Sequence, residues 1–311
     1  METVLKVKNL VKSFTQGTWR KKSIVIVNNI SFEVGKGEIV GLLGPNGAGK
    51  TTTIQMLLST MTPTSGVIEY FGKDLWKHRS EILQHVSFAS TYVRFPGRLS
   101  VYENIDFYGK LYGLTPAERK AKIKQFLSSF HVWHLRDRPA SVLSAGETTR
   151  VMLAKAFLTT PRIVLLDEPT AALDPDIAQD IRRFILEQRK HYGVSILFTS
   201  HNMAEVSEVC DRVLVLKKGA IIANNTPEEL ASSVSLTHLH LLIPQHIAQA
   251  IAYVEQKGLV YQVEDKWLSI EIDEHAIADF LKELMQRSIV YSQISIDKPT
   301  LEDYFLSISR G

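Results

Sequence analysis

Cysteine is almost absent from this sequence, since Cys210 is the only one among 311 residues. A single cysteine excludes an internal disulfide and is typical of a protein from a reducing compartment. Long apolar runs are also missing, because no uncharged stretch approaches the roughly 18 residues that a membrane-spanning helix needs. The opening METVLKVKNL carries charges where a secretory signal peptide needs its apolar segment. We therefore expect a chain that has no signal peptide and does not cross a bilayer by itself.

An excess of charge of one sign is lacking as well. The 36 basic and 33 acidic residues leave a net charge of +3, with no long run of either sign. So mild a balance gives no indication of a nucleic-acid partner. The hydrophobic content of 45% is enough for a sizeable core, and the length suits one large or two ordinary domains.

A glycine-rich segment, GPNGAGKTT, follows the strand-length apolar run EIVGLL and precedes a stretch with helical spacing. It fits the pattern G-x-x-x-x-G-K-[ST], in which backbone N–H groups and a helix N-terminus surround an anion. The lysine reaches the outer phosphates and the threonine hydroxyl binds magnesium. The pattern therefore predicts a nucleoside triphosphate site with Mg²⁺ at Thr51. Its phosphate-binding candidates are Gly44, Pro45, Asn46, Gly47, Ala48, Gly49, Lys50, Thr51 and Thr52.

The periodicity of the chain predicts two domains. Alternating strands lead into the glycine-rich segment, helical spacing follows over about residues 92–160, and strands return with RIVLLDE, VSILFTS and DRVLVLKKGAII. We interpret residues 1–228 as an α/β domain with an antiparallel β subdomain and an inserted helical subdomain. Residues 229–311 have the order β-α-β-β-α-β, which predicts a small ferredoxin-like α+β domain.

Two further motifs bear on the chemistry of the site. The apolar strand of IVLLDEP ends in two carboxylates, so that Asp167 would face the magnesium and Glu168 would orient or deprotonate a water. The alternative is a solvated turn. In LSAGE, Ser144 can cap a helix and Gly146 permits close approach of an anion to the backbone. The alternative there is an ordinary helix start.

Five motifs occur in one order: GPNGAGKT, LSAGE, IVLLDE, AALD and FTSH. With them, residues 3–225 resemble the ATP-binding subunit of an ATP-binding cassette (ABC) transporter. The resemblance implies an ABC-type P-loop NTPase cassette that hydrolyses ATP with Mg²⁺. It also implies a second ATP-binding subunit, expected to be a copy of this chain, and integral membrane permease subunits as partners at the cytoplasmic face of the inner membrane.

The resemblance also implies roles for single residues. In this family two cassettes close head to tail. Each ATP lies between the P-loop of one cassette, here GPNGAGKT, and the signature motif of the other, here LSAGE. Ser144 and Gly146 would then touch the γ-phosphate of the partner's nucleotide, while Asp167 would hold magnesium through water. Glu168 would be the general base, His201 would hold the γ-phosphate and the attacking water, and Asp174 would organise the site across the dimer.

The sequence departs from the family pattern at two places. Adenine usually stacks on an aromatic residue near the first strands, where Phe14 fits best and Trp19 competes with it. A glutamine that contacts magnesium is expected after the strand VSFA, but Ser90 and Thr91 stand there and Gln84 precedes the strand. A hydroxyl is a poorer metal ligand than an amide oxygen, so we expect altered magnesium coordination or altered coupling to the membrane subunit.

The number and spacing of the motifs indicate which class of ABC protein this chain resembles. The alternative to a transporter subunit is a soluble ABC protein of translation or DNA repair. The single P-loop, and the 94 positions that separate Lys50 from Ser144, favour the transporter. The closing segment IDKPTLEDYFLSISR resembles exporter cassettes that act with separate membrane subunits, and an importer cassette with a sensor domain is the alternative. The C-terminal domain is expected to be regulatory or to stabilise the dimer.

Overall fold

A computed structural model describes residues 2–16, 22–90, 93–171, 173–234 and 236–310. The candidates Trp19 and Thr91 lie outside these residues. The chain forms two compact units, Met1–Thr226 and Pro227–Gly311. Within the described ranges, no helix is long and apolar enough to cross a membrane.

The strands of the first unit form two sheets. One sheet has the order β10-β9-β3-β8-β7-β6, in which β10 is antiparallel to β9 and the neighbouring pairs from β9 to β6 are parallel. The other is antiparallel, with the order β2-β1-β4-β5. Their bounds are β1 (Thr3–Gln16), β2 (Lys22–Gly35), β3 (Ile39–Leu43), β4 (Ser65–Tyr70), β5 (Lys73–Asp74), β6 (Val86–Ser90), β7 (Ile163–Asp167), β8 (Ser195–Thr199), β9 (Arg212–Lys217) and β10 (Ala220–Asn225).

Strands β3, β7 and β8 are buried at every position. Parallel strands covered on both faces need continuous apolar sequence, and IVGLL, IVLLD and SILFT supply it. Their carboxyl ends meet at one edge of the sheet, which is where a doubly covered α/β sheet places its ligand site.

Helices cover this sheet and build the helical subdomain. Their bounds are α1 (Lys50–Leu57), α2 (Arg79–Leu83), α3 (Val101–Leu111), α4 (Pro116–Ser129), α5 (Ala145–Phe157), α6 (Pro175–Tyr192) and α7 (Met203–Val209), with short 3₁₀ turns at Trp133–Leu135 and Ala140–Val142. Helices α3, α4 and α5 make up the predicted helical block. Each begins with a capping box, in which a serine or threonine and the glutamate three residues later exchange hydrogen bonds with each other's backbone N–H.

The second unit is a sheet with helices. Its strand order is β12-β13-β11-β14, with every neighbouring pair antiparallel. A separate core of buried side chains, including Leu239, Tyr253 and Phe280, fills it. Its elements are α8 (Pro227–Ser232), β11 (Leu236–Leu242), α9 (Ile247–Gln256), β12 (Tyr261–Glu264), β13 (Trp267–Asp273), a 3₁₀ turn (Glu274–Ala276), α10 (Ile277–Gln286), β14 (Gln293–Asp297) and α11 (Leu301–Arg310).

Candidate nucleotide-binding site

The glycine-rich segment connects β3 to α1, as the sequence predicts. Gly44 has φ of +152°, and a Cβ there would lie 2.3 Å from the carbonyl oxygen of Leu216. Gly49 is the N-cap residue of α1, with φ of +104°. Because glycine has no side chain, nothing caps this helix, and its first turn has no acidic residue. Its first N–H groups therefore remain available to an anion.

Lys50 folds back over this loop. Its Nζ donates to the carbonyl oxygen of Gly44 and lies 3.3 Å from that of Pro45. Partial burial lowers the pKa of Lys50, although the nearby carboxylates of Glu168 and Asp167 oppose that shift. An ammonium that is partly desolvated attracts a phosphate more strongly than one in water.

Asp167 is the last residue of β7 and is buried. Its Oδ1 accepts a hydrogen bond of 2.8 Å from the hydroxyl of Thr199, and its Oδ2 accepts one of 3.3 Å from the hydroxyl of Ser90. These two residues end the neighbouring strands β8 and β6 in register with Asp167. Ser90 stands near the place where the family's glutamine is expected, and its hydroxyl orients the carboxylate predicted to serve magnesium.

Glu168 follows in a left-handed backbone conformation, with φ of +53°. Its N–H donates to both the carbonyl and the hydroxyl oxygen of Thr199, each at 3.1 Å. Its Oε1 lies 2.6 Å from Nε2 of His201, and the Glu168 side chain is 12% exposed whereas that of His201 is 53% exposed. A carboxylate so placed can accept a proton from water, and the neighbouring imidazole fixes its orientation.

One cavity of about 420 Å³ brings most of the predicted residues together. Its lining consists of Ile26, Asn46, Gly47, Ala48, Gly49, Lys50, Thr51, Thr52, Asp167, Glu168 and His201. Gly44 and Pro45 contribute their carbonyl oxygens to Lys50 rather than to the lining. Ile26 was not among the predicted residues, because an isoleucine in an alternating strand gives no indication of a ligand.

Phe14 does not line this cavity. It lies on β1 opposite Ile24 of β2, is 42% exposed, and has Nζ of Lys12 5.0 Å from its ring centre. An exposed aromatic ring beside a cation is compatible with the predicted stacking role, which stays a prediction.

The signature residues lie on a different element. Ser144 is the N-cap of α5, and its hydroxyl accepts the N–H of Glu147 at 3.2 Å while Glu147 accepts the N–H of Ser144 at 2.8 Å. Gly146 is in the first turn of the same helix, and Asp174 precedes α6 without a capping hydrogen bond from its side chain. The lining of the P-loop cavity includes none of these three residues.

The residues of the cavity fit ATP and Mg²⁺. An uncapped helix start and Lys50 suit the phosphates, Gly47 has open space where a Cβ would be, and the Thr51 hydroxyl shares the cavity with the Asp167 carboxylate as oxygen donors for a hard cation. The fold and this constellation define the class as a P-loop nucleoside triphosphatase.

Comparisons with known proteins identify the family. The sequence profile of the family described as "ABC transporter" matches residues 27–171. The lipopolysaccharide export system ATP-binding protein LptB of Haemophilus influenzae is 35% identical over 242 residues, which cover 77% of this chain and 97% of that protein. The linearmycin resistance ATP-binding protein LnrL of Bacillus subtilis is 29% identical over 98% of both chains.

A solved structure described as the ATP-binding subunit of an ABC transporter covers 74% of this chain and 92% of its own, with 27% identity and a TM-score of 0.66. The chain therefore belongs to the ATP-binding proteins of ABC transporters. These proteins are ATPases that bind ATP with Mg²⁺, and they work as cassette dimers with separate membrane permease subunits. The predicted family, the ABC-type P-loop cassette fold, the ATPase activity and the cofactors ATP and Mg²⁺ are thereby confirmed.

Proposed function

We propose that this chain is the ATP-hydrolysing subunit of an exporter. Two copies would close around two ATP–Mg²⁺ and drive a substrate outward through a separate membrane permease. The observation that carries the ATP-hydrolysing role is the cavity in which the P-loop, Asp167, Glu168 and His201 meet, with 2.6 Å between the last two side chains. The residues to which we assign phosphate binding and water activation within one copy share this space.

The signature motif lies outside the cavity that the P-loop lines, and this separation supports a dimer. Ser144 and Gly146 lie at the start of helix α5, outside the cavity, where Ser144 forms a capping box with Glu147. In the proposed dimer these residues contact the γ-phosphate of the nucleotide on the other copy, and Asp174 organises that site. ATP then binds the closed dimer better than the open one, which is the differential affinity that a population shift requires.

Within one site we assign the following roles. Lys50 and the N–H groups of α1 hold the phosphates, and Thr51 and Asp167 would hold Mg²⁺, which neutralises charge on phosphate oxygens. Glu168 accepts the proton of the attacking water, and His201 orients this carboxylate and contacts the γ-phosphate. Phe14 stacks on the adenine ring.

Three observations support export. LnrL matches almost the whole chain, including the second unit, and its name refers to resistance against linearmycin. LptB belongs by name to an export system. The closing segment around α11 resembles exporter cassettes. We place the subunit at the cytoplasmic face of the inner membrane, and we propose that the ferredoxin-like unit, with the boundaries 229–311 expected from the sequence, regulates or stabilises the dimer.

Co-purification tests the transporter assignment. A tagged Glu168→Gln variant would be extracted from membranes in mild detergent with MgATP, and the proteins that accompany it would be identified. We expect a polytopic membrane protein. A variant that brings down ribosomes or nucleic acid without a membrane protein would instead support a soluble ABC protein.

Inverted membrane vesicles test the direction. ATP added outside such vesicles reaches a subunit bound to the former cytoplasmic face. Vesicles with the parent protein and its partner would be incubated with cell extract, and their contents compared by mass spectrometry with vesicles carrying Glu168→Gln. ATP-dependent accumulation inside supports export, whereas ATP-dependent loss of preloaded compounds supports the importer alternative.

A further inference from the structure

Glu205 is a buried carboxylate that the site described above does not use. It lies on α7 and is 4% exposed. Its Oε2 accepts hydrogen bonds from the hydroxyls of Thr170, at 2.7 Å, and Ser200, at 2.9 Å. Its Oε1 lies 3.0 Å from Nη1 of Arg182. Burying a charge without such partners is costly, and these three contacts offset that cost.

The three partners of Glu205 come from three segments that lie next to family motifs. Thr170 lies two residues after Glu168, and Ser200 immediately precedes His201. Arg182 lies on α6, the helix that begins after Asp174. A single carboxylate therefore connects the segment of Glu168, the segment of His201 and helix α6, which follows Asp174.

We propose that Glu205 is a positioning residue for ATP hydrolysis, which holds Glu168 and His201 in their 2.6 Å contact through Thr170 and Ser200. The inference rests on the roles proposed for Glu168 and His201. Glu205 itself does not line the P-loop cavity, so it acts through these neighbours and not on the nucleotide.

The backbone at both ends of the contact needs external support. Glu168 has φ of +53°, a conformation that a residue other than glycine keeps only when its surroundings impose it. On the other side, the Ser200 hydroxyl also accepts the N–H of Asn202 at 3.0 Å, which fixes the turn that contains His201. Without Glu205, each turn would lose one of its constraints, and a displacement of about 1 Å at a catalytic group can cost about 100-fold in rate.

A purely structural role is the alternative, and a set of variants separates the two. Glu205→Ala removes all three contacts but also leaves Arg182 without this partner, so it carries a risk of misfolding. The double variant Thr170→Val with Ser200→Ala removes the two hydroxyls, and with them the hydrogen bond from the Asn202 N–H to Ser200, but keeps the ion pair. Glu208→Gln is the matched control, since Glu208 lies one turn along α7, is 48% exposed, and contacts Arg182 at 2.6 Å.

For each variant of the full-length chain, the melting temperature, the kcat and KM of ATP hydrolysis and the affinity for a fluorescent ATP analogue would be measured. We expect kcat per folded molecule to fall about 10- to 100-fold in Glu205→Ala and in the double variant. We expect KM and affinity to stay within about threefold, because the phosphate contacts remain, and Glu208→Gln to hydrolyse ATP like the parent.

A kcat within about threefold of the parent in the folded double variant overturns the proposal, as does a loss that only follows the folded fraction. A rise in KM with unchanged kcat overturns it too, because Glu205 would then serve binding. Glu168→Gln is measured beside these variants. If Glu168→Gln hydrolyses ATP at the rate of the parent, the assignment of Glu168 as general base is wrong. If Glu168→Gln is inactive and the double variant is active, only the positioning role of Glu205 is rejected.

Discussion

Oε1 of Glu168 lies 2.6 Å from Nε2 of His201, and these residues follow the ends of the adjacent parallel strands β7 and β8. Adjacent parallel strands bring their carboxyl ends to one edge, so residues separated by more than thirty positions in sequence meet there. The contact places Glu168 and His201 together in the cavity that the P-loop also lines.

Replacing Glu168 by glutamine should stop turnover and leave binding intact. An amide of the same shape cannot accept the proton of the attacking water, and loss of a general base costs about 100- to 10,000-fold in rate. We expect Glu168→Gln to accumulate as an ATP-bound dimer, which size-exclusion chromatography with MgATP and a phosphate-release assay would detect. Full activity in this variant would require a different base.

Lys50→Ala should lose nucleotide binding. The ammonium makes charge-assisted contacts with phosphates, and each such hydrogen bond contributes about 1.5–3 kcal/mol. A loss in that range corresponds to an affinity at least about tenfold weaker, which titration calorimetry with ATP would measure. Tight ATP binding by this variant would contradict the assignment of the P-loop.

Phe14→Ala should weaken ATP binding and leave the phosphate contacts unchanged. Stacking of a base on an aromatic ring contributes about 1–3 kcal/mol, by analogy with single-stranded nucleic acids. The informative measurement compares the affinities for ATP and for inorganic triphosphate, because only ATP carries a base that can stack on Phe14. Val67→Ala is a suitable control, since Val67 is a 38% exposed residue of β4 in the same sheet. Equal loss for both ligands would contradict the stacking role.

Gly44→Ala should destabilise the first unit. The new Cβ would lie 2.3 Å from the carbonyl oxygen of Leu216, so the backbone must move, at a cost of about 1–3 kcal/mol. Gly47→Ala is the matched control, because Gly47 also has positive φ, +79°, but no atom lies within 4 Å of the added Cβ. Urea unfolding should show the larger loss for Gly44→Ala, and equal losses would mean that the contact with Leu216 does not matter.

The helical subdomain should lose stability at acid pH. The Ser100 N–H chiefly lowers the pKa of Glu103, and the Thr115 hydroxyl chiefly lowers that of Glu118, both from an ordinary value of 4.5. A carboxyl group whose pKa is lower in the folded state stabilises the fold above its unfolded pKa, and this contribution disappears as pH falls through the folded pKa.

The double variant Glu103→Gln with Glu118→Gln isolates this contribution. The free energy of unfolding in urea should differ between parent and variant at pH 7, and the difference should shrink below about pH 4.5. Glu187→Gln, at an exposed position of α6, is the control and should change little at either pH. A difference independent of pH would show that the capping glutamates do not act through their charge.

The P-loop was predictable because its chemistry is local: Gly44, Gly49 and Lys50 stand at fixed spacing between a strand and a helix. The carboxylates at the end of β7 were predictable for the same reason. His201 required the family resemblance, because a histidine after an apolar strand carries no signal of its own. The capping box at Ser144 follows from the residue three positions on, which is also a local pattern.

Glu205 could not be found from the sequence. A glutamate in the first turn of a helix is common, because a negative charge is stabilised by the positive end of the helix dipole. Its burial arises because Thr170, Arg182 and Ser200, from three separate segments, surround it in the folded chain. Long-range packing of this kind leaves no periodicity and no spacing that a single sequence could reveal.

The positive φ of Glu168 also bears on how this protein can be improved in the laboratory. Glycine and asparagine adopt that conformation at less cost than glutamate does, so a substitution here can relieve backbone strain while it removes the carboxylate. A selection for heat tolerance alone can therefore replace the proposed general base, which raises the thermal stability and abolishes ATP turnover. Engineering of this subunit has to screen for turnover from its first round.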